Sequence, residues 1–243
     1  MPELPEVETI RRQLAKKIVG KKLDGKKVAK VRRRAKILII DFADGSSLIF
    51  HLKLTGQLIF NGKPSKHTRQ VFKFNDGSKL IFNDVRKFGW WKKVKNTKKI
   101  EKAFGPEALE INLKAFKANL KKRPRVKIKP LLMDQKFIAG IGNIYSDEIL
   151  FAAKVYPLRQ VKTLKDREIQ RIFQNIKKIL KEAIRARGTS ERSYLDAYGR
   201  KGDYVKYHKV YHRDKCFICG TKIKKTKIGG RSAHFCPKCQ KLC

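Results

Sequence analysis

A chain of 243 residues with 61 Lys and Arg against 21 Asp and Glu carries a net charge of +40, and 41% of its residues are hydrophobic. The apolar share is enough to build real cores, which excludes a disordered polyelectrolyte, and the charge calls for a polyanionic partner. No apolar run reaches the ~20 residues that span a bilayer and no secretory signal is legible, so nucleic acid fits better than a membrane. A basic bias can also be proteome-wide, and charge alone does not separate an enzyme from a packaging protein.

The chain opens Met1-Pro2-Glu3-Leu4-Pro5-Glu6. Removal of Met1 would leave Pro2 with a free secondary amine, a strong nucleophile that forms an iminium with an aldehyde-level carbon. The plainer use of Pro2 is to start a helix, and both readings stand at this point. Residues 5–19 are predicted to form an amphipathic helix, with Val7, Ile10, Leu14 and Ile18 at helical spacing, Glu6 and Glu8 in its first turn and Gly20 at its end.

From Val28 to Trp91 short apolar runs alternate with turn signals such as Asp44-Gly45, Asn61-Gly62 and Asp76-Gly77, which predicts antiparallel sheet. Gly105-Pro106 breaks the chain, and helical spacing dominates beyond it. The clearest case is Thr163 to Ala186, where Ile169, Ile172, Phe173, Ile176, Ile179, Leu180 and Ile184 form one stripe. Cys216-Phe-Ile-Cys219 and Cys236-Pro-Lys-Cys239, sixteen residues apart, have the spacing of a four-thiolate zinc site, with disulfides as the alternative. Gly220, Gly229 and Gly230 make the intervening segment a hairpin, and Cys243 takes no role. The reading is an α+β chain: a β-rich segment over 1–103, a hinge at 104–110, a helical segment over 111–209 and a zinc finger over 210–243.

Taken in order, these motifs resemble the bacterial formamidopyrimidine-DNA glycosylases over nearly the whole chain. The likeness rests on Pro2-Glu3-Leu4-Pro5-Glu6, Arg33-Arg34-Ala35-Lys36, His51-Leu-Lys-Leu-Thr-Gly56, Asp84-Val-Arg86-Lys-Phe88-Gly89, Gly105-Pro106-Glu107, Gly140-Ile-Gly142-Asn143 and Gly230-Arg231-Ser232 before the second cysteine pair. It implies an N-terminal antiparallel β-sandwich, a helix-two-turns-helix domain and a zinc-finger hairpin. It also implies a bifunctional glycosylase and abasic-site lyase acting on oxidised purines in duplex DNA, and Leu4 favours that branch over the pyrimidine-directed sister group. A non-catalytic basic DNA-binding protein is the alternative of a different class.

The resemblance assigns Pro2 as nucleophile, Glu3 as proton donor with Glu6 as supporting acid, and Lys36 and Arg231 to the catalytic set. His51, Lys36, Asn143 and Arg231 are expected on phosphates. Leu54, Arg86 and Phe88 are expected to fill the hole left by the everted base, the ordinary alternative for Leu54 and Phe88 being sheet core. Residues 188–207 are expected to form a flexible loop whose Thr189, Ser190 and Tyr204 contact the lesion. One structural Zn2+ on Cys216, Cys219, Cys236 and Cys239, a damaged-DNA partner, a monomer and a cytoplasmic location complete the expectation. The stretch between Gly20 and Arg33 is shorter than is usual for the family, which suggests that strands or a helix at that edge are missing.

Overall fold

In a computed structural model, which describes residues 1–241, contacts divide the chain into two compact units. One comprises residues 1–103 with 183–205, and the other 104–182 with 206 onward. Leu242 and Cys243 lie outside the described residues. Chain order alone puts 183–205 in the helical segment 111–209, but Tyr194 and Ala197 join the apolar core of the first unit.

The first unit begins with α1 (Leu4–Ile18), whose Val7, Ile10, Leu14 and Ile18 are buried and whose Pro5 sits in the first turn, where the missing N–H costs nothing. Eight strands follow: β1 (Lys22–Leu23), β2 (Lys26–Arg34), β3 (Ile37–Phe42), β4 (Ser47–His51), β5 (Gly56–Phe60), β6 (Thr68–Lys73), β7 (Lys79–Asp84) and β8 (Trp90–Val94). They form two antiparallel sheets, in the orders β1-β2-β3-β4-β8 and β5-β7-β6. Leu38, Ile40, Leu48 and Phe50 of one sheet share a core with Leu58, Phe72, Leu80 and Phe82 of the other and with the apolar stripe of α1. Phe50 meets Phe72 and Phe82 edge-on at 5.5 and 6.0 Å, and burying each such side chain contributes about 1.5–3 kcal/mol.

The short stretch after Gly20 still contains edge strands. Asp24 and Gly25, with φ of +50° and +77°, make a two-residue turn that pairs β1 with β2. After β8 the short helix α2 (Lys98–Lys102) is held by Arg32, which reaches Asp41 and Glu101 at 2.5 Å each and Thr97 at 2.7 Å.

Within the segment 188–207, expected from the resemblance to be a flexible loop, several groups are hydrogen-bonded to the rest of the first unit. Gln57 donates to the Ser193 carbonyl at 2.5 Å, Gln13 donates to Asp196 at 2.9 Å, and the N–H groups of Phe60 and Ala197 bond to Ala197 and Gln13 at 2.8 Å each. A Cβ at Gly202 would overlap the carbonyls of Gly188 and Arg187, so that glycine serves a close backbone approach and not mobility.

The second unit contains α3 (Leu113–Lys121), α4 (Ile128–Met133), α5 (Asn143–Ala152), most of α6 (Asp166–Arg185) and the hairpin of β9 (Lys224–Ile228) and β10 (Arg231–Phe235). Asn112 caps α3 by accepting the Ala115 N–H at 2.9 Å. The α6 stripe forms as predicted, with Ile172, Ile176, Ile179 and Leu180 buried. The α4–α5 connection is shaped by Gln135, whose side chain donates to the Met133 and Ile141 carbonyls at 2.8 Å and accepts the Gly140 N–H at 2.9 Å. Residues of the expected hinge are stitched to that connection by Gly105 N–H to Gln135 O at 2.9 Å and Ala139 N–H to Pro106 O at 2.8 Å.

Candidate functional site

Pro2 and Glu3 immediately precede α1 and are both buried, Glu3 to 1% exposure. The Glu3 N–H donates to Glu6 Oε2 at 2.7 Å, the reach-back arm of a capping box, while Glu6 Oε1 accepts the Thr189 N–H at 2.8 Å. Each Glu6 oxygen thus receives a backbone donor, an arrangement suited to a carboxylate that ties two segments together. Gly188 permits the approach: its φ is +82°, and a Cβ there would fall 2.6 Å from Glu6 Oε1. Burial, with the charges of Glu6 and Asp196, raises the Tyr194 pKa well above the usual value, so its hydroxyl, 3.4 Å from the Glu6 carbonyl, stays a donor. With Met1 attached, the Pro2 nitrogen is an amide without a usable lone pair; removing Met1 turns the same atom into an amine.

Lys36 follows Ala35, whose φ of +54° is costly for a residue with a Cβ. The turn is fixed by Arg33, which donates to the Ala35 carbonyl at 2.8 Å and to Glu8 at 3.3 Å. Burial pushes Glu8 up, but Arg11, Arg12 and Arg33 outweigh it and hold the carboxyl below its usual range. Lys36 is 6% exposed, on a segment tied through Arg33 to the first turns of α1. His51 lies across from Ile37 on β3 and Trp90 on β8. Burial first, then the charges of Lys53 and Lys36, lowers its pKa to about 4. Its Nδ1 accepts the Lys53 N–H at 3.0 Å, which leaves a neutral ring with Nε2–H as a donor.

Leu54 and Phe88 are 36% and 54% exposed, so neither is sheet core. Arg86 lies over the Phe88 ring at 5.0 Å. Thr189 and Tyr204 are buried, and the Ser190 hydroxyl is engaged within its loop, donating to Tyr194 O at 2.7 Å and accepting the Gly202 N–H at 2.8 Å.

In the second unit Gly142 precedes α5 and Asn143 is its first residue; the buried Asn143 Oδ1 has no partner among the described residues. Asn143 thus stands at the N-terminus of a ten-residue helix, the end whose dipole favours an anion. Arg231 is exposed beside the Gly229-Gly230 turn, whose φ values of +54° and +76° close a two-residue hairpin.

The four sulfurs of Cys216, Cys219, Cys236 and Cys239 lie within 4.8 Å of one another, with separations of 3.5 and 3.8 Å. Tetrahedral Zn–S bonds of about 2.3 Å need sulfurs roughly 3.8 Å apart, so the donor set fits one structural zinc and leaves no open position. The N–H groups of Ile218 and Cys239 point at Cys216 and Cys236 sulfurs at 3.4 Å, a shell that favours thiolates.

Sequence reasoning missed the support under β10. Lys129, 1% exposed, pairs with Asp147 at 2.6 Å and donates to the Ser232 carbonyl at 2.7 Å, while Asp147 accepts the His234 N–H at 3.0 Å. Glu148 next to it accepts the N–H groups of Lys209, Val210 and Tyr211 at 2.9–3.1 Å. An Asp-Glu pair inside the apolar run Ile144 to Phe151 was the available signal, because buried charges need partners.

The formamidopyrimidine-DNA glycosylase of Pelotomaculum thermopropionicum is 40% identical to this chain over 275 aligned positions, covering 100% of both. The chain belongs to the formamidopyrimidine-DNA glycosylase family. The formamidopyrimidine-DNA glycosylase of Listeria innocua is also 40% identical, covering 99% of this chain and 100% of its own. Family models match over residues 19–91 (formamidopyrimidine-DNA glycosylase N-terminal domain), 103–194 (its H2TH domain) and 213–242 (the zinc finger found in FPG and IleRS). Among solved formamidopyrimidine-DNA glycosylases, the Lactococcus lactis Fpg bound to DNA containing an abasic site superposes with a TM-score of 0.90 at 36% identity, covering 99% of this chain and 100% of that one. The MutM (Fpg) protein of Thermus thermophilus gives 0.91 at 34% identity, covering 98% of each chain. The helix-two-turns-helix and zinc-finger expectations are thereby met.

Proposed function

We propose that this chain excises oxidised purines, 8-oxoguanine and formamidopyrimidines, from duplex DNA and then cuts the strand at the abasic site. The amine of Pro2, freed of Met1, attacks the sugar C1′ as the glycosidic C1′–N bond breaks and the base leaves with a proton. Glu3 protonates the ring oxygen as the sugar opens, leaving a Pro2–C1′ iminium. The iminium acidifies the C2′ proton; its loss expels the 3′ phosphate, and a second elimination expels the 5′ phosphate. Zinc, when bound, holds the hairpin and supplies no reacting group. Lys36, His51, Asn143 and Arg231 hold phosphates, and Leu54, Arg86 and Phe88 fill the stack after the base is turned out. In this reading Lys36 and Arg231 belong to the catalytic set because each fixes a phosphate of the strand being cut.

The observation that carries this reading is the buried Pro2-Glu3 pair, bonded through Glu6 to Thr189 and accompanied in the same unit by Lys36, His51 and the exposed wedge side chains. A packaging protein needs none of these. A solved complex of MutM, 35% identical to this chain, with DNA containing carbocyclic 8-oxoguanine supports the purine reading. A wild-type Lactococcus lactis Fpg structure with DNA containing an oxidised pyrimidine makes that lesion class the natural second substrate to test. The reading takes the chain to act on DNA as a cytoplasmic monomer; among the described residues no helix is long and apolar enough to cross a membrane. Incubation with matched duplexes carrying 8-oxoguanine, a formamidopyrimidine or an oxidised pyrimidine should release the purines faster; release of the pyrimidine alone would shift the assignment to the sister group.

A further inference from the structure

The two segments that carry the wedge side chains are separate in sequence, and one buried carboxylate joins them. Asp84 ends β7 opposite Gly56 of β5 and is 2% exposed. Its Oδ1 accepts the Thr55 hydroxyl at 2.5 Å and the Arg86 N–H at 3.2 Å, and its Oδ2 accepts the Gly89 N–H at 2.6 Å. The Thr55 hydroxyl oxygen in turn accepts the Arg86 N–H at 3.0 Å. Thr55 follows Leu54, and the 86–89 segment contains both Arg86 and Phe88.

We infer that Asp84, acting with Thr55, is the positioning residue that fixes Leu54, Arg86 and Phe88 as one rigid wedge. The geometry requires a rigid mount. Leu54 and Phe88 project into solvent, where nothing in the first unit's core holds them, and Lys87 between Arg86 and Phe88 has a φ of +60°, which a side-chain-bearing residue keeps only when its surroundings impose it. Gly89 is part of the mount: a Cβ there would fall 2.9 Å from Asp84 Oδ2 and from the Phe82 ring. A carboxylate suits the post because it accepts several donors without donating any, and charge-assisted bonds to N–H groups are about twice as strong as neutral ones. Displacing a wedge by about 1 Å is the kind of error that costs on the order of 100-fold in rate.

The inference rests on the wedge assignment made under Proposed function, and the test separates the two. Asp84→Ala, Asp84→Asn, Thr55→Val, Thr55→Ser and Phe88→Ala are compared in single-turnover excision of 8-oxoguanine from duplex DNA. Each is also compared in borohydride trapping on a single-stranded oligonucleotide carrying a ready-made abasic site, which requires no base to be turned out. Asp84→Ala and Thr55→Val should slow duplex excision, by on the order of 100-fold for Asp84→Ala, while single-strand trapping changes little. Thr55→Ser keeps the hydroxyl and should behave as the unaltered protein. Normal excision by Asp84→Ala and Thr55→Val, with Phe88→Ala impaired, would overturn the role of Asp84. Parallel loss of duplex excision and single-strand trapping would do so too, since that marks general misfolding. Normal excision by Phe88→Ala itself would instead remove the wedge assignment.

Discussion

At the scale of single residues, the proposed catalytic end of α1 is set by what cannot be changed around it. Gly188 has φ +82°, and a Cβ there would meet Glu6 Oε1 at 2.6 Å, so Gly188→Ala should push Glu6 off the Thr189 N–H. The backbone penalty and the lost bond together predict a destabilisation of about 1–3 kcal/mol in chemical denaturation, with a larger loss of excision than of duplex binding. His51 and His208 supply a pH dependence. Burial, with neighbouring Lys53 and Lys36 at one site and Arg213 and His212 at the other, lowers both pKa values to about 4 from the usual 6.5. Each folded ring binds fewer protons than its unfolded counterpart between those values, so its contribution is fully present above about pH 6.5 and is lost as pH falls toward 4, on the order of 3 kcal/mol apiece. Glu148, pushed up by burial, works in the opposite sense. Urea midpoints measured from pH 7 to pH 4 should therefore fall, and the fall should shrink in His51→Asn and His208→Asn; an unchanged slope in both variants would contradict the account.

Elements were legible where local chemistry decides them. The strands announced themselves through apolar runs between Asp-Gly and Asn-Gly turns, α6 through its isoleucine stripe, and the metal site through cysteine spacing. What stayed hidden depends on distant partners. Nothing local marks Lys129 among the many lysines of this chain, and the fold places it, 1% exposed, against Asp147 and the Ser232 carbonyl. The glycines of residues 188–207 signal both freedom and close packing, and the bonds of this segment to Gln13, Gln57 and Glu6 involve partners far away in sequence. The zinc hairpin presents Arg231 from a two-residue turn and has few apolar side chains of its own, so the metal supplies much of its order. Metal analysis should find one zinc per chain. Cys216→Ser or Cys239→Ser should abolish duplex binding while circular dichroism shows the sheet and helix content largely retained; active protein free of zinc would exclude the assignment.

For the whole molecule the +40 charge sets how the protein meets DNA, and in the proposed mechanism the N-terminus sets what it does there. Affinity for undamaged duplex should fall linearly in a log–log plot against salt, with a slope of about −0.9 per phosphate contacted, and Asn143→Ala or Arg231→Ala should weaken binding to damaged and undamaged duplex alike. Base contacts at the lesion should add to this without changing the slope. The central claim is that Pro2 is the nucleophile, and it can be read from one covalent bond. Borohydride reduction of the protein on duplex containing 8-oxoguanine opposite cytosine should join chain and DNA, and mass spectrometry of the digested adduct should place the sugar on the nitrogen of Pro2. Protein that retains Met1 should bind the duplex and give no adduct. An adduct on a lysine, formed equally well by protein whose terminus is verified as blocked, would show that the amine of Pro2 is not the catalyst.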